Sequence, residues 1–331
     1  MTESVTTEPV LKAPKFEDLE THRPELTSYA YRLLGSPFEA EDAVQESLVR
    51  AWRALDRFEG RSALRTWLYR ITTNVCFDML KSRERRARPM DLGPASSADT
   101  ILPPPLPEIT WLEPAPESIM LPPGADPAQV AVARESVRLA FMAALQHLPA
   151  RQRAVLILRE VLKWRADEVA ELLETTTASV NSALQRARAT LAELDPAESD
   201  PFRPLDDEQE AFLVRYVDAF ERYDLDSLVE LLHADVVQSM PPYDMWLQGP
   251  EEVRGFFLGT GIGCRGSIVV PTGSANGLPA FGQYKPDPDG GHVPWALQVL
   301  EMSNGRIAGL NFFLDTERLF PLFGLPLTLA E

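Results

Sequence analysis

The chain is 331 residues long, 45% hydrophobic and 24% charged, an ordinary globular composition with room for two or three folded units. No apolar run approaches the ~20 residues that cross a bilayer, and the polar amino terminus lacks the basic-then-apolar pattern of a secretory signal. A cytoplasmic protein with no membrane partner is therefore expected. The net charge of −17 would speak against nucleic acid if it were spread evenly, but it is not: residues 1–90 carry 15 Lys+Arg against 14 Asp+Glu and 131–194 carry 9 against 7, whereas 195–331 carry 8 against 22.

From Phe16 to Arg88 the pattern is helical. Leu26, Tyr29, Ala30, Leu33 and Leu34 recur at helical spacing until Gly35-Ser36-Pro37 breaks it. A second helix sets Ala43, Val44, Leu48, Ala51, Trp52 and Leu55 on an apolar side, with Asp42, Gln45, Glu46, Val49 and Arg53 toward the other. A third is predicted from about Leu64 to Arg86, its apolar face at Leu64, Trp67, Leu68, Ile71, Val75 and Met79. Alongside stand Arg65, Thr66, Tyr69, Arg70, Thr73, Asn74, Lys81 and Arg83. Cations neutralise phosphates, aromatic faces hold unstacked bases, and Asn or Thr can read a base edge, so this helix suits opened DNA. On composition alone a solvated cationic surface over an aromatic core is the plainer reading.

Pro89 to Pro127 holds eleven prolines and no basic residue, which forbids continuous helix and predicts an extended, acidic linker. Ile109, Trp111 and Leu112 in the run ITWLEP are too apolar for a free tether and are expected to dock. Ala128 to Leu194 predicts four helices, broken at Pro149, near Lys163 to Arg165, and at Glu174 to Thr177. The last two have helix-turn-helix spacing. Val180, Leu184, Ala187 and Leu191 form the inward stripe of the final helix, leaving Ser179, Ser182, Gln185, Arg186 and Arg188 toward solvent or a major groove. An αα-hairpin of a bundle is the plainer alternative. Beyond the acidic stretch 195–207, helical segments at Glu208–Tyr223 and Leu225–Leu232 precede short branched and aromatic runs at 235–240, 267–271, 280–284, 295–302 and 306–314. Asp289-Gly290-Gly291 and Asn304-Gly305 mark turns, so an α+β domain with a curved antiparallel sheet is expected. Cys76 and Cys264 have neither disulfide-framework nor zinc spacing, so no metal or cofactor is expected.

The runs EDAVQESLVRAWRALDRFEG, LRTWLYRITTNVCFDMLKSRERR, LPARQRAVLILREVLKWRADEVAELL and VNSALQRAR, in that order, resemble the extracytoplasmic-function group of the bacterial sigma-70 family. The resemblance implies an alternative sigma factor that directs core RNA polymerase to promoters and aids their melting, with no active site of its own. By the same resemblance Asp42, Gln45, Glu46, Val49 and Trp52 dock on the clamp of the polymerase large subunit. Phe58, Arg61 and Ser62, with Arg65, Thr66, Trp67, Tyr69, Arg70, Thr73, Asn74, Lys81 and Arg83, bind the minus-ten element. Thr176, Ser179, Ser182, Gln185, Arg186 and Arg188 bind the minus-thirty-five element. Glu174 stands where the family commonly has Gly, implying a left-handed turn strained by roughly 1 kcal/mol. Asn181 and Ala183 replace two common cations, which implies weaker binding of the upstream element.

The remainder, with SMPPYDMWLQGPEEVRGFF and GRIAGLNFFLD, resembles SnoaL-like, NTF2-like domains. Tyr216, Met240, Tyr243, Trp246, Phe256, Cys264, His292 and Trp295 are the candidates to line a pocket for a small-molecule ligand. Asp244 and His292 form the one tempting catalytic pair. The expected architecture is thus multidomain: two all-α sigma domains over 16–88 and 131–194, the second with the helix-turn-helix, a Pro-rich linker over 89–130, and an α+β, cone-shaped NTF2-like domain over 206–328. Intramolecular docking of that acidic domain on the sigma domains, regulating them in cis, is expected. An anti-sigma partner is not readable from the sequence. A DNA-binding regulator that never joins polymerase, or an NTF2-like enzyme fused to a DNA-binding module, are the alternatives.

Overall fold

Gly35 ends one helix and Ser36 starts the next. After a short α1 (Phe16–Glu20), α2 (Arg23–Leu34) closes on Gly35 at φ 77°, a left-handed conformation open to glycine. The Ser36 hydroxyl accepts a hydrogen bond from the Glu39 amide at 3.3 Å, and Pro37 takes the first position of α3 (Pro37–Ala54). Helix α4 (Leu64–Leu80) packs against both, burying Leu26, Tyr29, Leu33, Val44, Leu48, Leu68 and Cys76. This computed structural model describes residues 15–60, 62–81, 85–120, 136–194 and 207–329. Helix α4 is shorter than the expected run to Arg86, because Arg86 folds back into a buried ion cluster.

The proline-rich stretch is ordered over 85–120 and lies across α2 and α3. The Glu113 amide donates to the Gly35 carbonyl at 3.0 Å, and Trp111, Leu112 and Ala115 are buried, so that part of the ITWLEP run docks as expected, whereas Ile109, also expected to dock, stays 52% exposed. An added Cβ at Gly35 would meet Leu112 Cδ1 at 3.0 Å, which gives that glycine a packing reason besides its φ. The amides of Ser96 and Leu106 donate to the Trp246 and Pro242 carbonyls, carrying the stretch onto the last domain. A one-turn α5 (Glu117–Met120) follows.

The second helical unit contains α6 (Leu139–Gln146), α7 (Ala150–Leu156) prolonged by a π turn over Ile157–Val161, α8 (Ala166–Leu172) and α9 (Thr177–Leu194). Breaks fall at Pro149, Lys163 (φ 57°) and Glu174 (φ 50°), as the sequence predicts.

The last domain runs α10 (Asp207–Glu221), α11 (Leu225–Glu230), β1 (Leu232–Ser239), β2 (Trp246–Gln248), α12 (Pro250–Leu258), β3 (Ile268–Ala275), β4 (Leu278–Pro286), β5 (His292–Ser303), β6 (Arg306–Phe313) and α13 (Thr316–Leu322). The sheet order is β2-β1-β6-β5-β4-β3. The sheet is mixed, not purely antiparallel: β1 pairs with β6 in parallel. The two strands are far apart in sequence, so no hairpin turn forces them antiparallel; the four-strand meander from β3 brings β6 beside β1. Side chains alternate between two buried faces. Ala296, Leu300 and Met302 of β5 meet α10 to α12, whereas Leu297 and Val299 join the core shared with α13 and both helical units. That shared face fixes where the last domain sits. Among the described residues no helix is long and apolar enough to cross a membrane.

Candidate nucleic-acid interface

Helix α3 leaves Asp42, Gln45 and Glu46 exposed and Val49 half-buried, while Trp52 keeps 59% of its surface in solvent. An exposed tryptophan on a helix whose outer face carries carboxylates has the profile of an interaction anchor.

On and before α4 the expected residues divide into three groups. Phe58 and Trp67 stack at 4.9 Å with Ser62 and Thr66 half-buried nearby, and Asn74 and Lys81 are exposed, Lys81 pairing with Asp78 at 2.7 Å. Tyr69 and Thr73, expected on the DNA face, are core residues instead. The Thr73 hydroxyl donates to the Tyr69 carbonyl at 2.7 Å and meets the Tyr29 hydroxyl at 2.9 Å, because helical periodicity turns both toward α2. Arg65 and Arg70 face the second helical unit, Arg70 half-buried and Arg65 still exposed. Arg65 sits 5.0 Å from the Tyr69 ring and 4.9 Å from the Trp164 ring and pairs with Glu25 at 2.7 Å. Arg70 faces Glu171 at 3.8 Å and Glu174 at 3.9 Å. Arg61 and Arg83 lie outside the described residues.

In the helix-turn-helix, Glu174 adopts the left-handed turn. Thr176 is exposed and its Oγ1 accepts from the Ser179 amide at 3.1 Å, capping α9. Val180, Leu184 and Ala187 are buried, whereas Ser179, Ser182, Gln185, Arg186 and Arg188 are exposed. Arg186 donates to Ser182 Oγ at 2.6 Å and Arg188 pairs with Glu160. Of the two positions lacking family cations, Asn181 is exposed and Ala183 is packed inward.

Behind these surfaces is a buried ion cluster that periodicity did not foretell. Arg86 lies 2.7 Å from Glu39 and 3.5 Å from Glu113. Arg318 of α13 reaches Glu113 and Asp315 at 3.3 Å, pairs with Glu108, and stacks 3.9 Å from the Phe38 ring. Burial pushes the Glu113 carboxyl up to about 7, against the downward pull of Arg86, Ser36 and Arg318. A folded value above the unfolded one means that the native state binds this proton more tightly. The associated stability is present below about pH 4.5 and is lost as pH rises toward 7, about 3 kcal/mol in all. Melting curves from pH 5 to 8 should therefore show stability falling with pH, and Glu113→Gln should flatten that slope; an unchanged slope in the variant would assign it to another group.

The candidates for a pocket in the last domain behave differently from one another. Tyr216, Met240, Phe256 and Cys264 are core residues, with Tyr243 and Trp295 packed at the edge of the same core. Inside, the Tyr216 hydroxyl donates to Gln298 at 2.8 Å, Gln298 to Gln283 at 3.0 Å, and Gln283 to Ser267 at 3.0 Å. Trp246 Nε1 donates to the Gly93 carbonyl at 2.9 Å, holding the linker. His292 Nε2 faces the Gly266 carbonyl at 3.2 Å. Asp244 is exposed before β2, and the register through Trp246, Ser239, Asn311 and Val299 sets it three strands and several residues from His292, roughly 20 Å away. The tempting pair is not brought together.

The profile described as Sigma-70 region 2 matches residues 19–86, Sigma-70, region 4 matches 138–191, and the SnoaL-like domain matches 213–310. The chain is 45% identical over 309 residues to the ECF RNA polymerase sigma factor SigG of Mycobacterium tuberculosis (strain ATCC 25618 / H37Rv), covering 93% of this chain and 82% of the relative. It is 30% identical over 256 residues to the sigma factor SigJ of the same strain, covering 75% and 73%. The crystal structure of Mycobacterium tuberculosis SigJ superposes with a TM-score of 0.58 at 24% identity, covering 95% of this chain and 100% of that one, which is a likeness of fold.

Proposed function

The chain belongs to the extracytoplasmic-function sigma factors, which direct core RNA polymerase to promoters, and on that premise we propose that the arrangement described above is its closed, resting form. The carrying observation is the packing of α4 against the second helical unit, with the Arg65 guanidinium beside the paired Tyr69 and Trp164 rings and Arg70 against Glu171 and Glu174. In this reading Asp42, Gln45, Glu46, Val49 and Trp52 dock on polymerase, the free part of α4 and its preceding loop take the minus-ten element, and the outward face of α9 takes the minus-thirty-five element. Elements about 25 base pairs apart are separated by roughly 85 Å at ~3.4 Å per step. Two units in direct contact cannot span that, so engagement requires opening. The last domain, by this proposal, regulates rather than catalyses: its β3–β4 turn and α13 hold the closed form, and polymerase binds the open form better and shifts the population.

Dyes on Arg57→Cys and Glu193→Cys, both exposed, report the separation, since the native thiols of Cys76 and Cys264 are buried. The distance should lengthen when core polymerase is added, and runoff transcription from a promoter library should appear with it. Trp52→Ala should abolish both. A distance that stays short in transcribing holoenzyme would overturn the closed-form reading.

A further inference from the structure

Between the two helical units lies a cavity of about 160 Å³ built from both. Glu39 and Leu80 come from the first unit, Arg85 and Arg86 from the chain leaving it, and Gln146 and Arg153 from the second. Three guanidinium groups thus face one carboxylate. Arg86 is balanced by Glu39 and Glu113, whereas Arg153 has no carboxylate partner among the described residues. It is 4% exposed, and among the described residues its hydrogen bonds go only to the carbonyls of Leu33, Gln146 and Leu148 and to the Gln146 side chain. A buried cation with no counter-charge is costly, and burial draws its guanidinium down toward about 10.

The donors are also incompletely used. Arg153 Nε, Arg86 Nε and Gln146 Nε2 are buried without an acceptor. A Cβ at Gly35 would lie 3.2 Å from Arg86 Cδ and 3.3 Å from Gln146 Nε2, so those two groups share one wall. Arg85 stands exposed nearby, its Nη1 2.6 Å from His147 Nδ1. Convergent N–H donors, surplus positive charge and a volume of this size fit a tetrahedral oxyanion with a few waters.

We propose that this cavity binds a small oxyanion of the phosphate class, and that the anion staples the two helical units together. The stapling role rests on the closed-form reading, because a site made from both units disappears when they separate. Binding then favours the closed form by its differential affinity.

Titration calorimetry of the full chain with inorganic phosphate, against sodium chloride at equal ionic strength, tests the site. Saturable binding and a raised Tm are expected in phosphate alone. Arg85→Gln, which alters the exposed cation, should weaken binding roughly tenfold, and Arg153→Met should abolish it in protein whose circular dichroism is unchanged. Adenosine monophosphate, tested in parallel, separates a free anion from the phosphoryl end of a larger molecule: both results keep the site. Absence of phosphate binding, or affinity unchanged in both variants, overturns it. If phosphate binds as stated but leaves the Arg57→Cys to Glu193→Cys distance and its response to polymerase unaltered, the site stands and the stapling role falls.

Discussion

Arg86→Met should destabilise the protein by about 3–5 kcal/mol, the penalty for stranding buried carboxylates. Arg86 is 4% exposed, lies between Glu39 and Glu113, and donates to the Trp111 carbonyl. Methionine replaces the aliphatic stem but none of the donors. The cost should grow with pH, because Glu113 can escape its isolation by taking a proton below about 7. Adding Glu113→Gln to Arg86→Met should recover part of the loss, a coupling that a double-mutant cycle by urea denaturation measures directly. A loss below about 1 kcal/mol would mean that water already solvates the cluster.

Asn276→Ala should open the molecule without unfolding its parts. Asn276 is fully buried at φ 53° in the turn between β3 and β4. Its Oδ1 accepts from the Ala115 amide at 2.9 Å, and its Nδ2 donates to the Tyr31 hydroxyl at 2.7 Å and to the Val137 carbonyl. One side chain thus ties the first helical unit, the linker and the chain entering the second. Alanine removes all three bonds, leaving buried groups unsatisfied at about 1–3 kcal/mol each, and strains the left-handed backbone by roughly 1 kcal/mol more. Even a net 3 kcal/mol on docking shifts the closed population by about a hundredfold. The dye pair should report a longer distance in free protein, and transcription with limiting polymerase should rise. Asn276→Gly, which relieves only the backbone strain, should give nearly the same opening. An unaltered distance in both variants would remove Asn276 from the latch.

The helical units were legible because their signals are local. Period 3.6, the Gly35-Ser36-Pro37 break and the Glu174 to Thr177 turn act over a few residues, and the exposed faces of α3 and α9 appear where those periods put them, except that Trp52, expected on the apolar side of α3, is exposed near its end. The hairpin at Asn304-Gly305 was legible for the same reason, both residues having positive φ. The strand β2 was not foreseen, since three residues carry too little pattern, and neither was the parallel pairing of β1 with β6, which joins segments some seventy residues apart.

Residue type and spacing carried the resemblance to the family and located the helix-turn-helix. They could not distinguish four arginines that look alike in the chain. Arg65 is pinned by a tryptophan 99 positions away, Arg70 by carboxylates of another unit, Arg86 by two buried glutamates, and Arg153 by carbonyls alone. A guanidinium's behaviour depends on the charge and dielectric within a few ångströms, and here those are supplied by segments of the two helical units and the linker that are distant in sequence and meet only in the tertiary structure.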